Sequence, residues 1–123
     1  HLNDGERILQ SYPFQLSGGM QQRLAIALSL ILKPSIVFAD EPTSALDMLV
    51  QASVLDLMKE VTQALGATVI IVTHNIKSAA RIANSIGVMN KGQLVEVGST
   101  EEVMACPKDE YTRVLLDSVT KVV

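Results

Sequence analysis

Short apolar blocks and longer amphipathic blocks follow one another along the chain. The short blocks are bounded by polar residues, glycine or proline, which is typical of strands. Strands are predicted over residues 35–40, 67–73, 85–90 and 93–97. Apolar positions three or four residues apart predict helices. Helices are predicted over residues 4–11, 17–33, 49–65, 76–83, 99–106 and 111–119.

Local signals mark where several of these helices begin and end. Ser17 and Asn75 are suitable N-cap residues, and Gly66 suits a left-handed C-cap. Ser99 and Glu102 have the spacing of a capping box. Pro34 and Pro107 end the helices that precede them. The residues predicted to be buried are Met20, Leu24, Ala27, Leu28 and Ile31 on the first long helix, Val50, Val54, Leu57, Val61 and Leu65 on the second, Ile76, Ala79, Ala80 and Ala83 on the third, and Tyr111, Leu115 and Val119 on the last.

Alternation of strands with helices predicts an α/β fold with a mainly parallel sheet flanked by helices. Residues 36–40 and 67–73 are expected to be strands buried on both faces. Asn90, Lys91 and Gly92 are expected to form a turn between two consecutive strands.

Composition limits the classes of function. The chain has 123 residues, which suits one domain, and its 48% hydrophobic but 3% aromatic content predicts an aliphatic core. A net charge of -3 argues against a nucleic-acid surface. The single cysteine, Cys106, excludes an internal disulfide and a cysteine-rich metal site. No apolar run reaches the 18 or so residues of a membrane-spanning helix.

Two adjacent carboxylates, Asp40 and Glu41, stand at the C-terminal end of the predicted strand at 35–40. Open α/β sheets place ligands at this end of their strands. One carboxylate can hold a divalent cation and the other can accept a proton from water. The alternative is two solvated acids at the start of a loop. His74 ends the second strand, where a structural histidine is the alternative to a functional one.

The run Ser17-Gly18-Gly19 opens a helix. Free backbone N–H groups and the helix dipole at such a position can bind an anion, and glycines allow a close approach. An N-cap with a flexible entry is the simpler interpretation.

Four segments together resemble the ATP-binding-cassette (ABC) ATPases. Residues 16–22, Leu-Ser-Gly-Gly-Met-Gln-Gln, resemble the family's signature motif, and residues 36–41 resemble its Walker B strand. Residues 44–47 resemble the D-loop and residues 72–75 the H-loop. All four occur in the order found in that family. Met20 departs from the glutamine that many members carry.

The resemblance implies a role for each site residue. Ser17, Gly18 and Gly19 would contact the γ-phosphate of ATP held by a partner subunit. Asp40 would bind Mg²⁺, and Glu41 would deprotonate the attacking water. His74 would sense the γ-phosphate. Further nucleotide-site and dimer contacts are expected from Gln22 and Asp47, the latter also as an N-cap.

The resemblance also implies the domain organisation. Residues 1–33 would end a helical lobe, and residues 34–123 would form the C-terminal part of the α/β core and a tail. No phosphate-binding loop G-x-x-x-x-G-K-[ST] is present, since residues 87–94 have the glycine spacing but lack its lysine and hydroxyl. We therefore expect a C-terminal fragment of a P-loop NTPase that is inactive alone and whose parent hydrolyses ATP.

The tail indicates a subgroup of the family. Residues 106–116, Cys-Pro-Lys-Asp-Glu-Tyr-Thr-Arg-Val-Leu-Leu, resemble the tail of peptide and nickel importers, although Asp109 and Glu110 replace the usual His-Pro. Tyr12, Pro13, Gln15 and Leu16 also match that subgroup. The resemblance implies import of di- or oligopeptides or nickel, at the cytoplasmic face of a membrane. The implied partners are a second ATPase subunit and permease subunits.

Two other classes of function remain open. One is a non-transport ABC ATPase, although such proteins usually place long insertions between motifs that are close together here. The other is a non-catalytic remnant that binds a partner, against which the presence of Glu41 and His74 argues.

Overall fold

The computed structural model describes residues 5–120, which form two compact units, the first ending at His74 and the second beginning at Asn75. The helices are α1 (Gly5–Leu9), α2 (Gly18–Leu30), α3 (Met48–Leu65), α4 (Ile76–Ile82), α5 (Thr100–Ala105) and α6 (Glu110–Thr120). The strands are β1 (Ile36–Asp40), β2 (Thr68–Val72), β3 (Ser85–Asn90) and β4 (Gln93–Ser99). Within residues 5–120, no helix has the length and apolarity needed to cross a membrane. Residue 4, the first of the helix predicted at 4–11, and the side chain of Val119, predicted to be buried, lie outside the described part.

The first unit contains a two-stranded parallel sheet. β1 pairs with β2 in a register that runs from Ile36 opposite Thr68 to Asp40 opposite Val72. Parallel strands need a long crossover, which α3 supplies. The core cluster that joins α2, α3 and β1 consists of Ile26, Leu30, Val37, Val54 and Met58. Because β1 and β2 are parallel, their carboxyl ends lie side by side.

The prediction that these strands are buried on both faces is wrong. Val37 is only 8% exposed, but its neighbours Ile36 and Phe38 are 53% and 75% exposed. On β2, Ile70 and Val72 are exposed as well. Alternate side chains of a strand point to opposite faces, and the core cluster covers only the face that carries Val37.

The buried stripes of the two long helices were predicted only in part. On α2 the buried residues are Ile26 and Leu30, whereas Leu28 and Ile31 are exposed. Residues 24–32 are apolar almost all round the helix, so their spacing does not single out one face. On α3 the burial of Val54 is confirmed. The other buried residues of α3 are Leu55, Met58 and Thr62.

The second unit is built on an antiparallel hairpin of β3 and β4. Lys91 and Gly92 connect the strands with φ values of 49° and 79°, as a two-residue hairpin turn requires. The predicted turn is therefore confirmed. This pair is the antiparallel part of a fold predicted to be mainly parallel, because a turn this short can join only antiparallel strands. The hairpin packs on α5 through a core of Ile86, Val88 and Val103.

The tail is held to the hairpin by a buried acid. Glu96 on β4 is 9% exposed, and its carboxylate accepts hydrogen bonds from the N–H groups of Lys108 at 2.9 Å and Asp109 at 3.1 Å. On α6, Thr112 is fully buried while Tyr111 is 39% exposed, so the predicted burial of Tyr111 is wrong. Glu96 thus anchors the segment before α6. The spacing of apolar residues could not predict this contact.

The unusual acids of the tail have a local role. The Asp109 carboxylate accepts a hydrogen bond from the N–H of Tyr111 at 2.8 Å, as an N-cap does. Glu110 lies in the first turn of α6, where a negative charge is favourable to the helix dipole. The pair that replaces His-Pro thus forms the start of a helix.

Candidate functional site

Glu41 follows β1 directly and has an unusual backbone. Its φ is 43°, in the left-handed region that residues other than glycine seldom adopt. Its N–H donates to the carbonyl of Val72 at 2.8 Å, which continues the pairing of β1 with β2. Such backbone geometry persists where surrounding contacts hold it, and functional sites are frequent examples. The chain therefore turns at Glu41 while the residue stays attached to β2.

The Glu41 carboxylate is held by the two residues that follow β2. Its Oε1 accepts a hydrogen bond from the N–H of His74 at 2.9 Å and lies 2.7 Å from His74 Nδ1. The Thr73 hydroxyl donates to Oε2 at 3.4 Å. The pKa of Glu41 is lowered below its usual value, and the largest cause is the hydrogen bond with the His74 side chain. The result is an ionised carboxylate with a fixed orientation beside an imidazole whose side chain is 81% exposed.

Asp40 is the last residue of β1 and is exposed. Among residues 5–120, no group of three His, Cys, Asp or Glu side chains could hold a metal ion by itself. A single exposed carboxylate nevertheless suits Mg²⁺, which keeps several waters and is commonly bound by one or two carboxylates together with substrate phosphates. The chemistry of Asp40 therefore fits a Mg²⁺ ion that arrives with a nucleotide.

Ser17 caps α2, as predicted. Its hydroxyl oxygen accepts a hydrogen bond from the N–H of Met20 at 3.3 Å. A Cβ on Gly19 would lie 2.7 Å from Val50 Cγ1, and a Cβ on Gly18 would lie 3.3 Å from Leu46 Cδ2. Glycine at these positions therefore allows the first turn of α2 to approach Leu46 in the loop before α3 and Val50 in its first turn. The sequence did not reveal this packing requirement.

Asp47 is the N-cap of α3, as predicted. Its Oδ1 accepts hydrogen bonds from the N–H groups of Leu49 at 3.2 Å and Val50 at 3.0 Å. Gln22 is half-buried on α2.

The predicted site residues of the first unit fall into two sets by their contacts. Asp40, Glu41 and His74 lie together at the ends of β1 and β2. The second set joins the start of α2, with Gly18 and Gly19, to the loop and first turn of α3. Thr73 was not among the predicted site residues, although its position next to His74 at a strand end was a usable signal.

A glutamine in the first turn of α3 was also missed. The Gln51 side chain donates to the carbonyls of Thr43 at 3.0 Å and Leu46 at 2.9 Å. No sequence signal distinguishes it from a surface glutamine, because its partners are backbone groups that depend on the conformation of the loop.

Comparison with known proteins identifies similar chains. A family model described as "AAA domain, putative AbiEii toxin, Type IV TA system" matches residues 1–78. The chain is 49% identical over 117 residues to the "Dipeptide transport ATP-binding protein DppD" of Caldanaerobacter subterraneus, covering 95% of this chain and 36% of the relative. It is 46% identical over 113 residues to the "Oligopeptide transport ATP-binding protein OppD" of Lactococcus lactis, covering 92% and 33%.

A third relative is named for a different cargo. The "Metal-staphylopine import system ATP-binding protein CntD" of Staphylococcus aureus is 44% identical over 121 residues, covering 98% of this chain and 45% of the relative. The chain thus spans between a third and a half of the length of these relatives.

Proposed function

The chain belongs to the AAA domain family and is a homologue of the ATP-binding subunits of ABC importers, and we propose that it forms part of an ATP-hydrolysing subunit. In this proposal, the subunit drives import of di- or oligopeptides or a related solute such as nickel. The names of the relatives support the choice of solute, since they include dipeptide, oligopeptide and metal–staphylopine importers. The observation that carries the proposal is the contact between Glu41 and His74 at the ends of two parallel strands.

Glu41 is the general base in this proposal. Its orientation is fixed by hydrogen bonds from residues 73 and 74 to both carboxylate oxygens. An ionised carboxylate in a fixed position can orient a water molecule and take its proton as the water attacks the γ-phosphate. The exposed His74 ring is in hydrogen-bond contact with the base and available to the transferred phosphoryl group.

Asp40 is the proposed ligand of the Mg²⁺ that accompanies ATP. When bound, the metal neutralises charge on the phosphates. Ser17, Gly18, Gly19, Gln22 and Asp47 are proposed to face a nucleotide across a dimer of such subunits. The start of α2, whose cap Ser17 is uncharged, is a helix N-terminus suited to an anion, whereas Asp47 accepts the N–H groups of Leu49 and Val50 at the start of α3.

The assembly is part of the same proposal. We assign residues 1–33 to a helical lobe and residues 34–123 to the α/β core and tail. The partners are a second ATPase subunit and membrane permease subunits, with the subunit on the cytoplasmic face of the membrane. The names of the relatives, which are importer ATP-binding proteins, support this arrangement.

Substitution of the base tests the proposal. In a nucleotide-binding subunit that contains this chain, Glu41→Gln keeps the shape of the side chain and removes the base, so steady-state ATP hydrolysis should fall about 10²–10⁴-fold while ATP binding persists. Glu60→Gln makes the same change at an exposed position on α3 and serves as the matched control. Hydrolysis by Glu41→Gln at the rate of the control would refute the assignment.

A further inference from the structure

The loop between β1 and α3 connects the proposed base to the start of α3. It runs from Glu41 to Asp47. The Ser44 N–H donates to the carbonyl of Glu41 at 3.3 Å, and the Leu46 N–H donates to the carbonyl of Thr43 at 3.1 Å. The loop is therefore a series of tight turns, and its carbonyl groups need partners.

Gln51 closes this loop from the first turn of α3. Its Nε2 lies 3.0 Å from the carbonyl oxygen of Thr43 and 2.9 Å from that of Leu46. Both partners are acceptors, so only the NH₂ end of the side chain fits, and its two hydrogens serve one carbonyl each. Gln51 itself is half-buried. The side chain thus ties the loop to the helix that follows it.

The same device occurs on α2. Gln21 Nε2 donates to the carbonyls of Pro13 at 2.6 Å and Leu16 at 3.2 Å. Each glutamine is the fourth residue after its N-cap, and each reaches carbonyls eight and five residues earlier in the chain. The segments that enter both proposed nucleotide-facing helices are therefore fixed by equivalent hydrogen bonds.

The loop that Gln51 holds also contacts the start of α2. A Cβ on Gly18 would lie 3.3 Å from Leu46 Cδ2, and Leu46 is one of the two carbonyl partners of Gln51. A shift of the loop would therefore change the position of Asp47 and the surface against which Gly18 packs.

We infer that Gln51 is a positioning residue for ATP hydrolysis, which fixes the loop between Glu41 and Asp47 without touching the nucleotide. This inference rests on the proposed function. A positioning residue affects the reacting geometry more than substrate binding, since small misplacements of reacting groups reduce the rate of the chemical step.

Three substitutions test the role of the two hydrogen bonds in a nucleotide-binding subunit that contains this chain. Gln51→Glu keeps the shape but cannot donate, Gln51→Met is apolar, and Gln51→Lys retains donors. We expect kcat for ATP to fall about tenfold in the first two, with KM changed by less than about threefold. Gln51→Lys should recover at least about a third of the unsubstituted kcat, because its ammonium group can donate to both carbonyls.

Gln63→Glu is the matched control, because it makes the same change at an exposed position of the same helix. Equal kinetics for Gln51→Glu and Gln63→Glu would overturn the inference. A fall in kcat that Gln51→Lys does not relieve would overturn it as well, since the loss would then come from altered packing.

Amide hydrogen exchange on the same proteins separates this inference from the proposed function. Exchange at Ser44 and Leu46 should accelerate in Gln51→Glu and Gln51→Met, while β2 stays protected. Faster exchange with unchanged turnover would overturn the positioning role and leave the proposed function standing. Absence of turnover in the unsubstituted subunit would overturn the proposed function, and this inference with it, whatever the exchange shows.

Discussion

At the scale of single residues, Gly19 has a packing role that is independent of nucleotide. A Cβ at this position would lie 2.7 Å from Val50 Cγ1. Valine is β-branched and has few rotamers available on a helix, so it cannot easily move aside. A substitution at Gly19 therefore changes the contact between α2 and α3 as well as any phosphate contact. An activity loss in Gly19→Asp would by itself not prove that the signature residues bind a phosphate.

A pair of alanine substitutions measures the packing role of Gly19. Gly19→Ala should lower the free energy of unfolding by about 1–3 kcal/mol through overpacking. Combining it with Val50→Ala should recover stability relative to the sum of the single changes, which chemical denaturation of the four proteins would measure. Gly5→Ala is the control, because a Cβ at Gly5 meets nothing within 4 Å. Strict additivity of the two changes would contradict the contact.

The residues of the candidate site were predictable to different degrees. Asp40, Glu41 and His74 lie at or just after the ends of two strands, and parallel pairing of those strands brings them together. The caps at Ser17 and Asp47 depend on neighbours within three residues, which the sequence shows directly. The hydrogen bonds of Gln51 and the left-handed backbone of Glu41 depend on the conformation of a loop, and no pattern of residue types specifies that.

At the scale of secondary-structure elements, most boundaries follow from local chemistry. Gly66 ends α3 with a left-handed φ of 66°, and Ser99 with Glu102 caps α5, both as predicted. Burial is less predictable because it depends on what packs against each element. The exposed Phe38 and the shifted buried face of α2 show that an apolar residue indicates a strand or a helix more reliably than it indicates burial.

The anchorage of the tail predicts a pH dependence in the second unit. Hydrogen bonds lower the pKa of Glu96 below its ordinary value of 4.5, and the largest contribution comes from the N–H of Lys108. A depressed pKa stabilises the folded state above the unfolded pKa, and the stabilisation disappears as pH falls through the folded value. The tail should therefore stay anchored above about pH 4.5 and loosen in more acidic solution.

Limited proteolysis or amide exchange at residues 106–112, recorded between neutral pH and pH 3, would measure this loosening of the tail. Glu96→Gln should loosen the tail already at neutral pH and reduce the change on acidification. Glu101→Gln, an exposed acid on α5, is the matched control. A tail whose exchange is equally pH-dependent in Glu96→Gln and in the control would contradict the role of Glu96.

At the scale of the whole molecule, the chain spans about a third of the length of relatives such as the dipeptide transport protein. Residues 1–123 contain the proposed base, the proposed Mg²⁺ ligand and the proposed signature, but no G-x-x-x-x-G-K-[ST] sequence. P-loop enzymes depend on that loop for positioning the phosphates and for stabilising charge. Under the proposed function, these residues therefore supply one part of a composite site.

The segment nearest in sequence to a phosphate-binding loop has a different structure. Residues 87–94 form the end of β3, the turn at Lys91 and Gly92, and the start of β4. The N–H groups of a phosphate-binding loop converge on the phosphates, whereas this segment pairs Val88 with Glu96 and Asn90 with Gln93 across an antiparallel ladder. Lys91 is exposed in the turn. The hairpin is thus part of the scaffold of the second unit.

The purified chain of 123 residues should therefore show no ATP turnover. Phosphate release should equal that of the same chain carrying Glu41→Gln, which reports any contaminating activity. In a nucleotide-binding subunit that contains this chain, Lys91→Ala should leave turnover unchanged, because the residue belongs to a hairpin turn. Turnover by the isolated chain that Glu41→Gln abolishes would show that these residues hold ATP without a conventional phosphate-binding loop. A large loss of turnover in Lys91→Ala would instead assign residues 87–94 to the phosphates, despite their antiparallel pairing.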